Sequence, residues 1–168
     1  CKIAIMRSRD LIGQILTYSR KGVVRESGPC EIGSVVRETL QLLKSTIPAT
    51  VKFVYIIEED VSGKFVLADT RQIQDTVINL CNNAIYAMQE TGELKVTLSV
   101  KILAKNELPE SKSSLKVGEY IVLEITDNGC GMSEEMMENI FDPFYSTKPI
   151  DEGSGMGLSM AHGVLEQS

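Results

Sequence analysis

The stretch NLCNNAIYAM, Asn79 to Met88, decides how this chain is read. It lies in a longer run, from Asp69 to about Gln89, in which Ile73, Val77, Leu80, Cys81, Ala84 and Met88 recur at the helical interval. That spacing predicts a long helix with one apolar stripe, and Asp69 is placed to cap its start. Asn79 and Asn83 stand four apart, so they share a face beside the stripe rather than within it. Carboxamide oxygens suit a hard cation such as Mg²⁺, which keeps several waters and takes one or two protein oxygens when phosphates supply the rest. Alone, such a pair more often meets water or a neighbouring loop, so its meaning depends on the residues around it.

Downstream, ELKVTLSVKIL and EYIVLEIT read as two strands of a hairpin joined by the hydrophilic AKNELPESKSSLKVG. The second strand runs into TDNGCGM, which puts Asp127 at a strand end with Gly129 and Gly131 just beyond. A carboxylate there can accept from an exocyclic amine, and the two glycines let backbone approach a flat ring; a tight turn opened by Asp explains the same residues. A short helix is predicted from Ser133 to Ile140, followed by FDPFYSTKPIDEGSG, which has the pattern of neither regular structure and reads as a lid. GSGMG then sets Gly153, Gly155 and Gly157 before a final helix from about Met156. Free N–H groups at a helix start, with no β-carbons in the way, can cradle phosphate; a flexible hinge is the plainer reading. G-x-x-x-x-G-K-[ST] does not occur, and G-x-G-x-x-G fails after Gly157.

Upstream, VKFVYII, Val51 to Ile57, reads as a strand. Ser34 is expected to cap a helix through Leu43 that buries Val35, Val36, Leu40 and Leu43, with Glu31 and Ile32 entering a short strand. Between Ile3 and Arg20, Leu11, Ile12, Ile15, Leu16 and Tyr18 mark another amphipathic helix, and Gly22, Gly28 and Pro29 mark a linker after it. The resulting order suggests helices layered on a mixed sheet.

Composition narrows the function. The 168 residues have room for one domain and an appendage. Lys and Arg total 17 against 23 Asp and Glu, a net charge of -6, so no broad basic surface serves a nucleic acid and any bound anion is held locally. No apolar stretch approaches the roughly 20 residues that span a bilayer, and no leader pattern opens the chain, so a cytoplasmic piece is expected. Cys1, Cys30, Cys81 and Cys130 are scattered without a C-x-x-C pair, and a single histidine cannot complete a zinc set of typical spacing with them. Reduced thiols are expected, as is an origin in a longer polypeptide, given the opening Cys1.

NLCNNAIYAM, DNGCGM, IFDPFYSTK and GSGMGLSMAHGVLEQS, in this order, resemble the N, first glycine, F and second glycine boxes of sensor histidine kinases. That family sits in the ATPase superfamily with gyrase, the large heat-shock chaperone and MutL. The resemblance covers Glu31 to Ser168 and implies an α/β fold of the Bergerat type: a two-layer sandwich of a mixed sheet with helices on one face. Residues 1–22 then look like the second helix of a dimerisation and phosphoacceptor hairpin, 23–30 like a linker, and 31–168 like the ATP-binding domain, with its last strands outside the chain.

ATP and Mg²⁺ are the implied cofactors. The resemblance makes Asn83 the Mg²⁺ ligand and has Asn79 assist at the phosphates, which Lys148 approaches; these three would carry catalysis. It has Asp127 read adenine in a pocket shaped by Gly129, Gly131 and Met132. Phe141 and Phe144 would anchor the lid, Thr147 would join Lys148 at the nucleotide, and Gly153, Gly155, Met156, Gly157 and Leu158 would wrap the phosphates. A Glu in place of Asn79 marks the hydrolytic members, where it activates water; an amide cannot take that proton. The implied reaction is transfer of the γ-phosphate to a histidine outside this chain, for relay to a response-regulator receiver domain, in a protein that dimerises. Contact with nucleic acid or membrane is not implied. A non-catalytic ATP-dependent interaction module and a kinase acting on serine are the competing readings. Tyr86 stands where the family often carries a charged or amide side chain, which leaves its role open. His162, five residues past Gly157, is expected to pack or hydrogen-bond locally rather than react.

Overall fold

Apolar residues spaced by two along one strand, and by three or four along two helices, meet in one core. A computed structural model of the chain describes residues 28–104, 116–149 and 155–165. The helix expected between Ile3 and Arg20, most of the expected linker, and Gly153 lie outside the described residues. In chain order the elements are β1 (Gly28–Glu31), α1 (Ile32–Lys44), β2 (Val51–Ile57), β3 (Phe65–Ala68), α2 (Thr70–Ala87), β4 (Gly92–Leu103), β5 (Gly118–Asp127), α3 (Glu134–Asn139) and α4 (Gly157–Leu165).

The main sheet has the order β2-β4-β5, with β2 parallel and β5 antiparallel to β4. Its register stacks one face. Phe53 lies opposite Leu94, Tyr55 opposite Val96 and Ile57 opposite Leu98, while Ile125 and Leu123 meet Val96 and Leu98 from the other side. Leu94, Val96 and Leu98 are fully buried, and above them pack Val36, Leu40 and Leu43 of α1 with Val77, Cys81 and Ala84 of α2. Burying one such side chain contributes about 1.5–3 kcal/mol, so the strand-helix match is the main source of stability. The other face of the sheet carries the outward set Lys95, Lys101 and Glu124, all exposed. Helices therefore cover a single face of a mixed sheet, the α/β sandwich expected. Among the described residues no helix is long and apolar enough to cross a membrane.

Several boundaries differ from expectation. Glu31, not Ser34, caps α1: it has extended backbone angles, and its carboxylate accepts from the Ser34 N–H at 2.9 Å. Those hydrogen bonds from Ser34 hold the Glu31 carboxyl below its ordinary range. Residues 28–30, assigned to the linker, belong to β1, which pairs antiparallel with β3 from Gly28 opposite Ala68 to Glu31 opposite Phe65. β3 has no counterpart among the expected elements. Its four residues point Phe65 and Leu67 into solvent, so no buried alternation announces it. Asp69 does cap α2, accepting from the Arg71 N–H at 2.9 Å. That helix stops at Ala87 rather than Gln89 because Gln89 and Glu90 adopt left-handed φ of 52° and 60°. α3 starts after Ser133, whose hydroxyl accepts from the Met136 N–H at 3.2 Å.

Candidate functional site

The face of α2 beside its apolar stripe forms one wall of a cavity of about 1080 Å³. This is at the upper end of small-molecule pockets. Asn79 and Asn83 line it from α2, Gly131 and Met132 from the turn after β5, Thr147 and Lys148 from the segment after α3, and Gly155, Gly157 and Leu158 from the start of α4. The four sequence stretches quoted above thus converge on one space.

At one end the start of α4 faces the amide pair. A β-carbon on Gly157 would lie 3.7 Å from the Asn79 β-carbon and 3.9 Å from the Asn83 amide nitrogen. Just before it, Gly155, at φ 66°, crosses the backbone of Phe144 so closely that a β-carbon would fall 2.4 Å from the Phe144 carbonyl carbon. The Phe144 N–H donates to the Gly155 carbonyl at 2.9 Å, and Phe144 itself has a left-handed φ of 69°. A positive φ for Phe is costly, so the crossing is held by its surroundings. Lys148 reaches across from this segment: its Nζ donates to Asn83 Oδ1 at 2.9 Å and sits 4.2 Å from the Tyr86 ring centroid.

At the other end the turn after β5 is seated on the end of α2. The Cys130 N–H donates to the Ala87 carbonyl at 3.1 Å, and a β-carbon on Gly129 would lie 2.6 Å from that same oxygen. Glycine is required there by close approach. Asp127 Oδ1 accepts from the Gly129 N–H, and Asn128 Oδ1 from the Glu93 N–H, each at 2.9 Å, which ties the turn to the start of β4.

Not every expected residue reaches the cavity. Asp127 is exposed at the end of β5 and Gly129 lies behind the turn against Ala87, so neither lines it. Met156 is buried beneath the start of α4. Phe141 and Phe144, expected as lid anchors, are both exposed and outside the lining; the backbone of Phe144 on Gly155 and the Lys148 bond to Asn83 fasten this segment instead. The Phe141 ring lies 5.0 Å from the ring of His162, which is the local packing expected of that histidine. Conversely, Asn82, Tyr86, Tyr145 and Ser146 line the cavity without having been singled out as ligands. Tyr86 and Asn82 had a signal, since both sit within a turn of Asn83.

Two of the thiols differ in burial. Burial pushes the Cys81 thiol up to about 12, so it stays neutral inside the core, whereas Cys130 is exposed at the cavity wall. Among the described residues no group of three or more His, Cys, Asp or Glu gathers to hold a metal. To the cavity α2 offers two half-buried carboxamides, Asn79 and Asn83, and Asn83 Oδ1 is already engaged by a cation, the Lys148 ammonium. That donor suits Mg²⁺ carried in by a polyphosphate rather than a resident ion.

The profile of the family described as histidine kinase-, DNA gyrase B- and HSP90-like ATPase matches residues 68–168. Sensor kinase CckA of Brucella abortus is 30% identical over 163 residues, covering 96% of this chain and 17% of its own length. This chain accordingly spans only a small part of the curated relatives it matches, 33% in sporulation kinase B of Bacillus subtilis. Among solved structures, the nucleotide-free catalytic domain of histidine kinase ThkA superposes with a TM-score of 0.62 at 26% identity, over 85% of this chain and 82% of that one. ThkA in complex with the response regulator protein TrrA gives a TM-score of 0.64 at 24% identity, over 99% of this chain and 42% of that one.

Proposed function

This chain belongs to the histidine kinase-, DNA gyrase B- and HSP90-like ATPase family, and on that premise we propose that it binds Mg²⁺-ATP as the catalytic domain of a sensor histidine kinase, passing the γ-phosphate to a histidine elsewhere. The observation that carries this reading is the amide pair of α2 facing the glycine start of α4, with Lys148 bonded to Asn83 between them. Helix-terminal N–H groups, an ammonium and a hard-cation ligand are the groups that hold a triphosphate.

In this role Asn83 would hold Mg²⁺, which neutralises phosphate charge when bound. Lys148, Thr147 and the backbone at Gly155, Gly157 and Leu158 would bind the phosphates. Gly131 and Met132 would flank the adenine. Asn79 cannot take a proton from water, so the site keeps ATP for an external nucleophile instead of hydrolysing it quickly. Phosphoryl transfer needs chiefly positioning and charge neutralisation, which these groups supply. The acceptor would be a histidine on a helix hairpin in a dimer, the onward partner a response-regulator receiver domain, and the setting cytoplasmic.

The test is Mg²⁺-ATP affinity by calorimetry before and after Asn83→Ala. Loss of about tenfold or more is expected, since each 1.4 kcal/mol is a factor of ten; weak binding that does not respond to the change overturns the reading. Adding a histidine-bearing helix hairpin with γ-labelled ATP separates kinase from interaction module. Labelled histidine is expected, and its absence favours the module.

A further inference from the structure

We propose that Tyr86 is a positioning residue for Lys148: its ring face and the Asn83 carboxamide form a two-point seat that keeps the ammonium in the cavity, ready for phosphate oxygens. The inference deepens the ATP-site reading and rests on it.

Tyr86 and Asn83 are three apart on α2 and therefore on one face. Lys148 arrives from a segment sixty-five residues further on, half-buried, with Nζ 2.9 Å from Asn83 Oδ1 and 4.2 Å from the ring centroid. Both contacts come from one rigid helix. The second is well inside the about 6 Å over which the negative face of a ring attracts a cation.

A lysine stem has many rotamers, and ordering it only when a ligand arrives lowers affinity. With the seat in place the ordering is done beforehand. Two supports matter for a further reason. Asn83 Oδ1 is the oxygen that Mg²⁺ would take, so Lys148 must release it when the loaded nucleotide enters, and the ring is a support that stays in place. The interaction uses the ring face, so Phe can replace Tyr86 and Leu cannot.

Calorimetry with Mg²⁺-ATP and with adenosine, on this chain and its variants, provides the test. Tyr86→Leu is expected to bind Mg²⁺-ATP roughly fivefold more weakly and adenosine as before, while Tyr86→Phe stays within about twofold of the parent. In a Lys148→Met background, Tyr86→Leu is expected to change nothing further. Equal losses for Phe and Leu would assign the effect to the hydroxyl. A matching loss for adenosine would make the ring a base contact, and additive losses in the double variant would break the link to Lys148; any of the three overturns the proposal. Proton NMR of the nucleotide-free protein keeps the two readings apart. The Lys148 ε-methylene resonances are expected upfield in the parent and in Tyr86→Phe, and at ordinary positions in Tyr86→Leu. If the parent binds no ATP yet shows the upfield resonances, the seat stands and the ATP reading falls; ordinary positions in the parent sink the seat.

Discussion

Replacing Gly155 by alanine separates two costs that a structure-based argument usually merges. A residue other than glycine at φ 66° costs about 1–2 kcal/mol from its own backbone. The new methyl would also stand 2.4 Å from the Phe144 carbonyl carbon and 2.6 Å from its oxygen, well inside the about 3.5 Å of an ordinary contact. Both neighbours are backbone, so the two strands of chain must part. Parting them by about 1 Å carries the Phe144 N–H to Gly155 carbonyl bond, now 2.9 Å, out of hydrogen-bonding range at a further cost of about 1 kcal/mol. The local sum is about 2–3 kcal/mol. Two other glycines calibrate it. Gly131 has φ 69° with nothing within 4 Å of a β-carbon, so Gly131→Ala carries the backbone term alone. Gly163, inside α4, also has nothing within 4 Å, so Gly163→Ala is expected to gain up to about 1 kcal/mol of helix propensity. Urea unfolding ranks the three, and Mg²⁺-ATP calorimetry catches a crossing that opens locally without global unfolding. A Gly155→Ala protein that unfolds no more readily than Gly131→Ala and binds nucleotide like the parent would refute the claim that this crossing is a built contact.

The core makes two further predictions. Leu40 is fully buried between α1, α2 and the sheet, so Leu40→Ala is expected to lose about 3–5 kcal/mol, read from the denaturant midpoint at unchanged slope. Cys81 has a folded thiol pKa raised to about 12 from 9.0, so its contribution is complete below pH 9 and is lost as pH rises from there to 12. Stability is expected to fall by up to about 1.4 kcal/mol per pH unit across that window. Cys81→Ala should flatten this part of the profile, and an unchanged slope counts against a buried neutral thiol.

What could be read from the residues was what repeats at short range. The α2 stripe, the β-branched and aromatic run VKFVYII and the hairpin strands are each marked locally, and Asp69 and Ser133 sit where a cap is chemically required. β3 carries no such mark, because pairing with β1 defines it and its Phe65 and Leu67 face solvent. The α1 cap is illegible for a related reason: Glu31 is less usual as a cap than Ser34, and only the strand before it fixes its extended geometry. At the site, the residue types of the four motifs were legible because glycines and amides have few substitutes there. Depth was not. Phe141 could equally have faced the cavity or His162, and a spacing of twenty-one residues says nothing about which.

The turn after β5 is hydrogen-bonded to the last turn of α2, whose Ala84 and capping Met88 belong to the core, whereas Lys148 and Gly155 reach the same space from outside it. On the proposed reading this divides recognition in time. The base end exists before any encounter, so nucleoside, diphosphate and triphosphate forms should be captured at similar rates. The number of phosphates would then be told apart by how long each complex lasts, and a spent nucleotide would leave through the same grip that had retained the fresh one.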